Sequence, residues 1–272
     1  MITKLCETTL TGGHHYNIAM LTLGLGCIGI GRKWGVTESA VPSGSEAVEF
    51  LHKAYELGIR YFDTAPAYGY SEERLGKFYA ELSKEEQPSV TIATKLGEFW
   101  NFEKSTAYRD FSYEKLKESI DSSLKLLGRI DILQLHGFTK EVWEKNKNDI
   151  TRSFEYARSL GVKQVGASIS NPNGAAIVFS KDDWTVIQFP HNILRPYDQN
   201  VIKEAQQKKK NIVINRPFAM GEIAAQNSEE AKRKAYSFVV KDIKDGVMLT
   251  GTKSVQHLKE NLSLFEKALS LK

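Results

Sequence analysis

The feature that most limits what this chain can fold into is an alternation running from Leu21 onward: a short apolar run, an amphipathic stretch, then another apolar run. The apolar runs fall at 21–27, 59–63, 90–95, 131–136, 162–168, 185–189, 211–215 and 246–250. Each is brief and rich in Val, Ile and Leu, as strands buried on both faces of a parallel sheet are. The stretches between and after them predict helices at 46–57, 72–82, 113–127, 149–160, 172–180, 199–208, 229–242 and 254–268. Ser45, Ser71 and Ser112 stand where N-caps are expected. Eight such units in 272 residues, without a break in composition, predict an α/β fold, a (β/α)8 TIM barrel forming one domain over 1–272. An open doubly wound sheet is the alternative. Ahead of the first unit, Thr8-Thr9-Leu10-Thr11 followed by Gly12-Gly13 predicts an N-terminal β-hairpin capping the bottom of the barrel.

Composition narrows the function classes. A hydrophobic fraction of 41% and a charged fraction of 26% are those of a soluble globular protein. The net charge of +4 is spread along the chain, and its densest run, Lys208-Lys209-Lys210, reads as a solvated helix end, not a nucleic-acid contact. Two cysteines, Cys6 and Cys27, are too few for a disulfide framework or a zinc cluster, which favours a reduced, cytoplasmic protein. The N-terminal segment lacks the apolar core of a signal peptide, and no apolar run approaches the roughly 20 residues that span a bilayer.

Gly24, Gly26 and Gly29 match the dinucleotide fingerprint GxGxxG letter for letter. That motif needs a helix opening on the third glycine and an acidic residue ending a second strand about 20 residues on. Here Gly31 to Gly35 reads as loop, and Glu46 and Glu49 fall in a helix. The glycines are therefore expected to turn the first strand into its loop.

In a barrel of this kind, chemistry sits at the C-terminal ends of the strands. The second strand ends at Asp63, the third at Lys95 and the fourth at His136, with Tyr68 on the loop just after Asp63. Alone, each has a bland explanation as a cap, a solvated charge or a structural histidine. Together, three neighbouring strands deliver three different titratable groups to one rim.

These motifs resemble the aldo-keto reductase family. YFDTAPAYG has the family's strand, Asp, four residues, Tyr and Gly, and SEERLG, ATK, DILQLHG, GVKQVGAS, VIQFP and GTKSVQHLKENL follow in family order. The resemblance spans about Leu23 to Leu264. It implies a catalytic set of Asp63, Tyr68, Lys95 and His136, in which Lys95 lowers the phenol's pKa, Asp63 holds Lys95 and His136 orients the carbonyl. It also implies a nicotinamide cofactor, NADPH over NADH, for reduction of an aldehyde or ketone. Ser168 and Gln188 match positions that bind the carboxamide, although Ile169 stands where Asn is usual and Asn171 follows two residues later. Arg216 would lie against the nicotinamide or reach a phosphate, a rim salt bridge being its alternative. Gly251, Thr252, Lys253, Ser254 and His257 would hold the adenosine 2′-phosphate corner, with Asn261 at the adenine.

Aromatic residues at the same rim, Trp34, Trp100 and Phe138 with Phe99, Phe102 and Trp143, predict an aromatic-walled substrate pocket. Compared with the family, the segment after Phe218 is short and no long C-terminal loop follows the last helix, so weak closure over the cofactor is expected. The expected partner is a small carbonyl compound, for a monomer or weak homo-oligomer without a metal. Two rivals remain: a nucleotide-binding regulatory subunit of the same fold with little turnover, and a metal-dependent barrel hydrolase, which the absence of an H-x-H pair disfavours.

Overall fold

The computed structural model describes residues 20–35, 40–226 and 228–271. The expected N-terminal hairpin, with Cys6, His14 and His15, lies outside the described residues. The strands are β1 (Leu21–Gly26), β2 (Tyr61–Asp63), β3 (Thr91–Leu96), β4 (Glu98–Asn101), β5 (Thr106–Arg109), β6 (Ile132–Phe138), β7 (Gln164–Ile169), β8 (Trp184–Pro190), β9 (Asn211–Asn215) and β10 (Gly246–Thr250). The helices are α1 (Ile28–Gly31), α2 (Gly44–Glu56), α3 (Ser71–Glu81), α4 (Tyr113–Leu127), α5 (Lys140–Ser159), α6 (Ala175–Phe179), α7 (Gln199–Gln207), α8 (Glu229–Asp242) and α9 (Val255–Ser270). The eight apolar runs become parallel strands closed in the order β1-β10-β9-β8-β7-β6-β3-β2, which rules out the open sheet. β4 and β5 form a separate antiparallel hairpin after β3 that hydrophobic periodicity did not predict.

Helix starts differ from expectation in instructive ways. α2 is capped by Ser43, not Ser45, through a reciprocal capping box with Glu46. Ser71 lies inside α3, and its hydroxyl accepts from Thr64 Oγ1 and donates to the Cys27 carbonyl. Ser112 occupies the N-cap of α4 but spends its hydroxyl on Asp110 Oδ1. α5 begins at Lys140 instead of 149, capped by Thr139 and kinked at Asn146; its polar first half carries too few apolar residues to register as a helical stripe. A four-residue α1 does open beside Gly29, so that stretch is not all loop, but the acid that ends β2, Asp63, lies well beyond the spacing of about 20 residues that the dinucleotide motif requires and is held by Lys95. Lys210 is not free in solvent: its ammonium donates to the Lys181 and Trp184 carbonyls.

The strands' outward faces pack against the helices in one large apolar layer built from residues such as Leu25, Phe62, Leu133 and Phe189. Their inward faces form a second, smaller plug of Tyr61, Ala93, Ile132, Val186, Val213, Val247 and Leu249. Side chains on a strand return to the same face every second residue. One step above that plug, toward the C-terminal ends, the same alternation therefore aims Asp63, Lys95, Gln134 and Gln188 inward, all buried. The barrel thus carries a polar floor directly on an apolar core.

Candidate active site

Asp63, Lys95, Tyr68 and His136 meet at the C-terminal mouth. Lys95 Nζ donates to Asp63 Oδ1 at 2.5 Å and to the Thr64 carbonyl at 3.0 Å, and lies 4.7 Å from the centre of the Tyr68 ring. The Tyr68 and His136 rings stand edge to face, 5.7 Å apart. Gln188, on the strand opposite β2, reaches across the barrel and donates Nε2 to Asp63 Oδ2 at 3.0 Å. Both carboxylate oxygens of Asp63 are thereby engaged. Tyr68 is placed by a 3₁₀ turn, Pro66–Tyr68, in which proline pre-sets the backbone. Gly31 lets α1 press against this turn: a Cβ there would collide with the Tyr68 carbonyl and the Ser71 backbone.

Burial lowers the Lys95 ammonium, but the Asp63 carboxylate and Tyr68 outweigh it, so Lys95 ends above its ordinary range and stays charged. For Tyr68 the balance falls the other way. Burial pushes the phenol up, and the pull of Lys95 does not overcome it, Asp63 adding to the rise. This corrects the expectation that Lys95 brings the phenol below its usual value: the group is held protonated. His136 is driven well below the ordinary imidazole range, first by burial and then by Lys95, Arg109, Arg32 and Arg216. It is neutral near pH 7. Its Nδ1 is buried without a hydrogen-bond partner, 3.8 Å from Glu98 Oε1, which leaves Nε2 as the nitrogen open to a ligand.

The substrate side is only partly as expected. Trp34, 43% exposed, and Trp100 flank the guanidinium of Arg32 at the mouth. Phe138 is fully buried and packs edge-on against Trp184, so it belongs to the core and not to the pocket wall. The cause is local: Gly137 takes φ +58° and the β6–β7 register shifts there, rotating Phe138 to the helix side. Trp143 packs on Trp184 and Phe99 on Tyr108, while Phe102 lies out against Tyr70. Arg32, Glu98 and Arg109 went unpredicted. Arg32 follows the short glycine-containing α1, and the other two sit on the missed hairpin, where Arg109 Nε donates to Glu98 Oε2 at 2.7 Å.

The Aldo/keto reductase family model matches residues 22–221. This chain belongs to that family. Among curated proteins it is similar to the uncharacterized oxidoreductase YqkF of Bacillus subtilis, 28% identical over 91% of this chain and 77% of that one. The D-threo-aldose 1-dehydrogenase of a Pseudomonas species is 26% identical over 80% of this chain and 72% of its own length. Among solved structures, Pseudomonas aeruginosa PA4992 superposes with a TM-score of 0.75 at 25% identity, covering 91% of this chain and 90% of that one. The holo form of AKR11C1 from Bacillus halodurans, at 20% identity and a TM-score of 0.73 over 92% and 91% of the two chains, shares the fold.

Aldo/keto reductases are oxidoreductases that work with nicotinamide cofactors, and the mouth of this member suits one. Gln188 Oε1 is buried without a partner, and Ser168 stands in register beside it on β7, so an amide donor and acceptor have matching groups there. Asn215 Oδ1 at the end of β9 is likewise buried and unpartnered. Asn171 is exposed and its Oδ1 accepts from Asn173 N, while Ile169 is buried in the core. Arg216 is exposed after β9 with φ +55°. At the other corner Gly251 is exposed, Thr252 Oγ1 accepts from Ser254 N, and Ser254 caps α9 by accepting from His257 N. Lys253 Nζ donates to the Ala40 carbonyl. Asn261 is buried with Nδ2 on Thr250 Oγ1 at 2.8 Å, which ties α9 to β10. Among the described residues no helix is long and apolar enough to cross a membrane.

Proposed function

We propose that this aldo/keto reductase reduces an aldehyde or ketone to the alcohol with NADPH, and that Tyr68 is its proton donor. The observation that carries the reading is Lys95, wedged between the Asp63 carboxylate and the Tyr68 ring with His136 alongside. A reduced nicotinamide, when bound, supplies hydride to the carbonyl carbon. Tyr68 gives its proton to the carbonyl oxygen, which completes the alcohol. Lys95 stabilises the phenolate left behind, Asp63 keeps the ammonium in place, and His136 Nε2 hydrogen-bonds the same oxygen. A phenol held protonated at neutral pH suits this direction; in alcohol oxidation the phenolate acts as base.

In this reading Ser168 and Gln188 hold the carboxamide, and Arg216 lies at the nicotinamide or a phosphate. Gly251, Thr252, Lys253, Ser254, His257 and Asn261 line the adenosine end. Lys253 favours a 2′-phosphate, for which it would exchange its contact with Ala40. Trp34 and Trp100 wall the substrate. The chain acts as one barrel unit over 1–272, as a monomer or weak homo-oligomer in the cytoplasm.

The test is a titration of purified protein with NADPH and NADH, followed by turnover against a panel of aldehydes, ketones and keto-sugars. Expected are tighter NADPH binding, turnover with some carbonyl, and a loss of kcat of roughly a hundredfold or more in Tyr68→Phe with nucleotide still bound. Nucleotide binding without turnover across the panel assigns the chain to the regulatory class instead. A Tyr68→Phe enzyme as active as the parent removes the proposed donor.

A further inference from the structure

Three guanidinium groups act on His136 from separate elements: Arg32 after α1, Arg109 at the end of β5 and Arg216 after β9. Among the described residues the mouth offers few anions against them. Asp63 is spent on Lys95 and Gln188, and Glu98 is paired with Arg109. Arg216 is given to the cofactor in the reading above, so among the described residues Arg32 is the guanidinium of these three left with neither a carboxylate nor a proposed ligand.

Its surroundings are those of a held group, not of a solvated surface arginine. Arg32 lies 5.1 Å from the centre of the Trp34 ring and 4.4 Å from that of Trp100, so indoles flank the guanidinium. Nε donates to the carbonyl of Ala67, the residue before Tyr68, at 2.8 Å, and Nη1 makes a long 3.4 Å contact with the Lys33 carbonyl. Among the described residues Nη2 has no hydrogen-bond partner, and no carboxylate lies within ion-pair distance of Arg32. A guanidinium set against two indoles and tied at one edge keeps its remaining edge ready for a flat oxyanion at little entropic cost. Tyr68 and Glu98 are near enough to act on it electrostatically.

We propose that Arg32 binds an oxyanion of the substrate, and that the preferred carbonyl compounds carry a carboxylate or phosphate group away from the reacting carbon. The assignment rests on the carbonyl-reduction reading above. Arg32 touches the backbone of the turn that carries Tyr68, so an anion held there sets the distance from carbonyl carbon to phenol. Neutral carbonyl compounds bind without that anchor.

The test compares kcat/KM for 4-carboxybenzaldehyde with its methyl ester, and for glyceraldehyde 3-phosphate with glyceraldehyde, in the parent at saturating NADPH. Expected is a preference of about tenfold or more for the charged member of at least one pair, the range of a hydrogen bond to a charged group. Which pair shows it tells a carboxylate from a phosphate. In Arg32→Gln the charged-to-neutral ratio falls toward one, and Arg32→Lys retains part of it. Ratios near one in both pairs of the parent overturn the proposal without touching carbonyl reduction, and this arm needs no variant to fold. A preference that survives intact in Arg32→Gln overturns it as well. Absence of turnover with all four compounds while other members of the carbonyl panel react overturns this proposal alone; absence across the whole panel, with nucleotide bound, sinks the carbonyl-reduction reading as well.

Discussion

Lys95 and Asp63 form an ion pair at 2.5 Å with both side chains shut off from solvent. A charge buried in this way is costly to leave alone, since its partner's loss strands it in a poorly polarisable interior. Asp63→Leu and Lys95→Met should each destabilise the fold by about 3–5 kcal/mol. The double variant should recover most of that loss, because apolar side chains of similar size replace a buried pair at little cost. Urea denaturation of the three variants checks this, and simple additivity of the two losses would show that the pair is not coupled.

Glu72 offers a second buried carboxyl, with Thr94 Oγ1 donating to its Oε1 at 2.6 Å. Burial raises it to about 7, against the opposing pull of the Thr94 and Ser123 hydroxyls and Lys95. An unfolded glutamate titrates near about 4.3, so between that pH and about 7 the native state binds more protons than the unfolded one. Glu72 therefore contributes most at acid pH, and its contribution is lost as pH rises through 7. Glu72→Gln should gain stability relative to the parent over this window, by up to roughly 4 kcal/mol. Denaturation at pH 5 and pH 8 measures it; a difference between the proteins that does not change with pH contradicts the assignment.

His136 and Tyr68 set the expected pH profile of reduction. With His136 held neutral and Tyr68 held protonated, neither changes state between about pH 6 and pH 9. A plot of kcat against pH should be flat there and decline only at more alkaline pH. An inflection near 6.5 that disappears in His136→Asn would mean that the imidazole titrates in the working enzyme.

Gly31, the last residue of α1, is where that helix presses on the Tyr68 turn. Because an added Cβ meets backbone atoms of Tyr68 and Ser71 and not a movable side-chain tip, Gly31→Ala must displace the turn. A stability loss of about 1–3 kcal/mol is expected. A drop in kcat should accompany it, since a shift of about 1 Å at a catalytic group costs up to roughly a hundredfold. An alanine enzyme with the parent's Tm and kcat would show that the two segments do not need this contact.

Much of this arrangement was legible in the residues. Asp63, Lys95 and His136 stand out because each is a titratable group at the end of an apolar run, and the register of β2, β3 and β6 makes those runs neighbours. The hairpin was not legible: all four residues of β5 are exposed, so no buried face imprints an alternation on them. Phe138 was expected on a rim loop because the fourth apolar run reads as ending at His136; β6 instead continues through Phe138, and the turn at Gly137 puts that ring in the core.

The sequence by itself determined which side chains the barrel encloses. Burial on one face of a strand or helix recurs at a fixed local spacing, and that spacing is written in the order of residues. Only the tertiary structure decided how the enclosed groups balance and where long side chains reach. Tyr68 rises because burial outweighs Lys95, and Arg32 lies over Trp100 of the β4–β5 hairpin as well as over its neighbour Trp34. Those outcomes depend on atoms far apart in the chain, whose distances no local periodicity records.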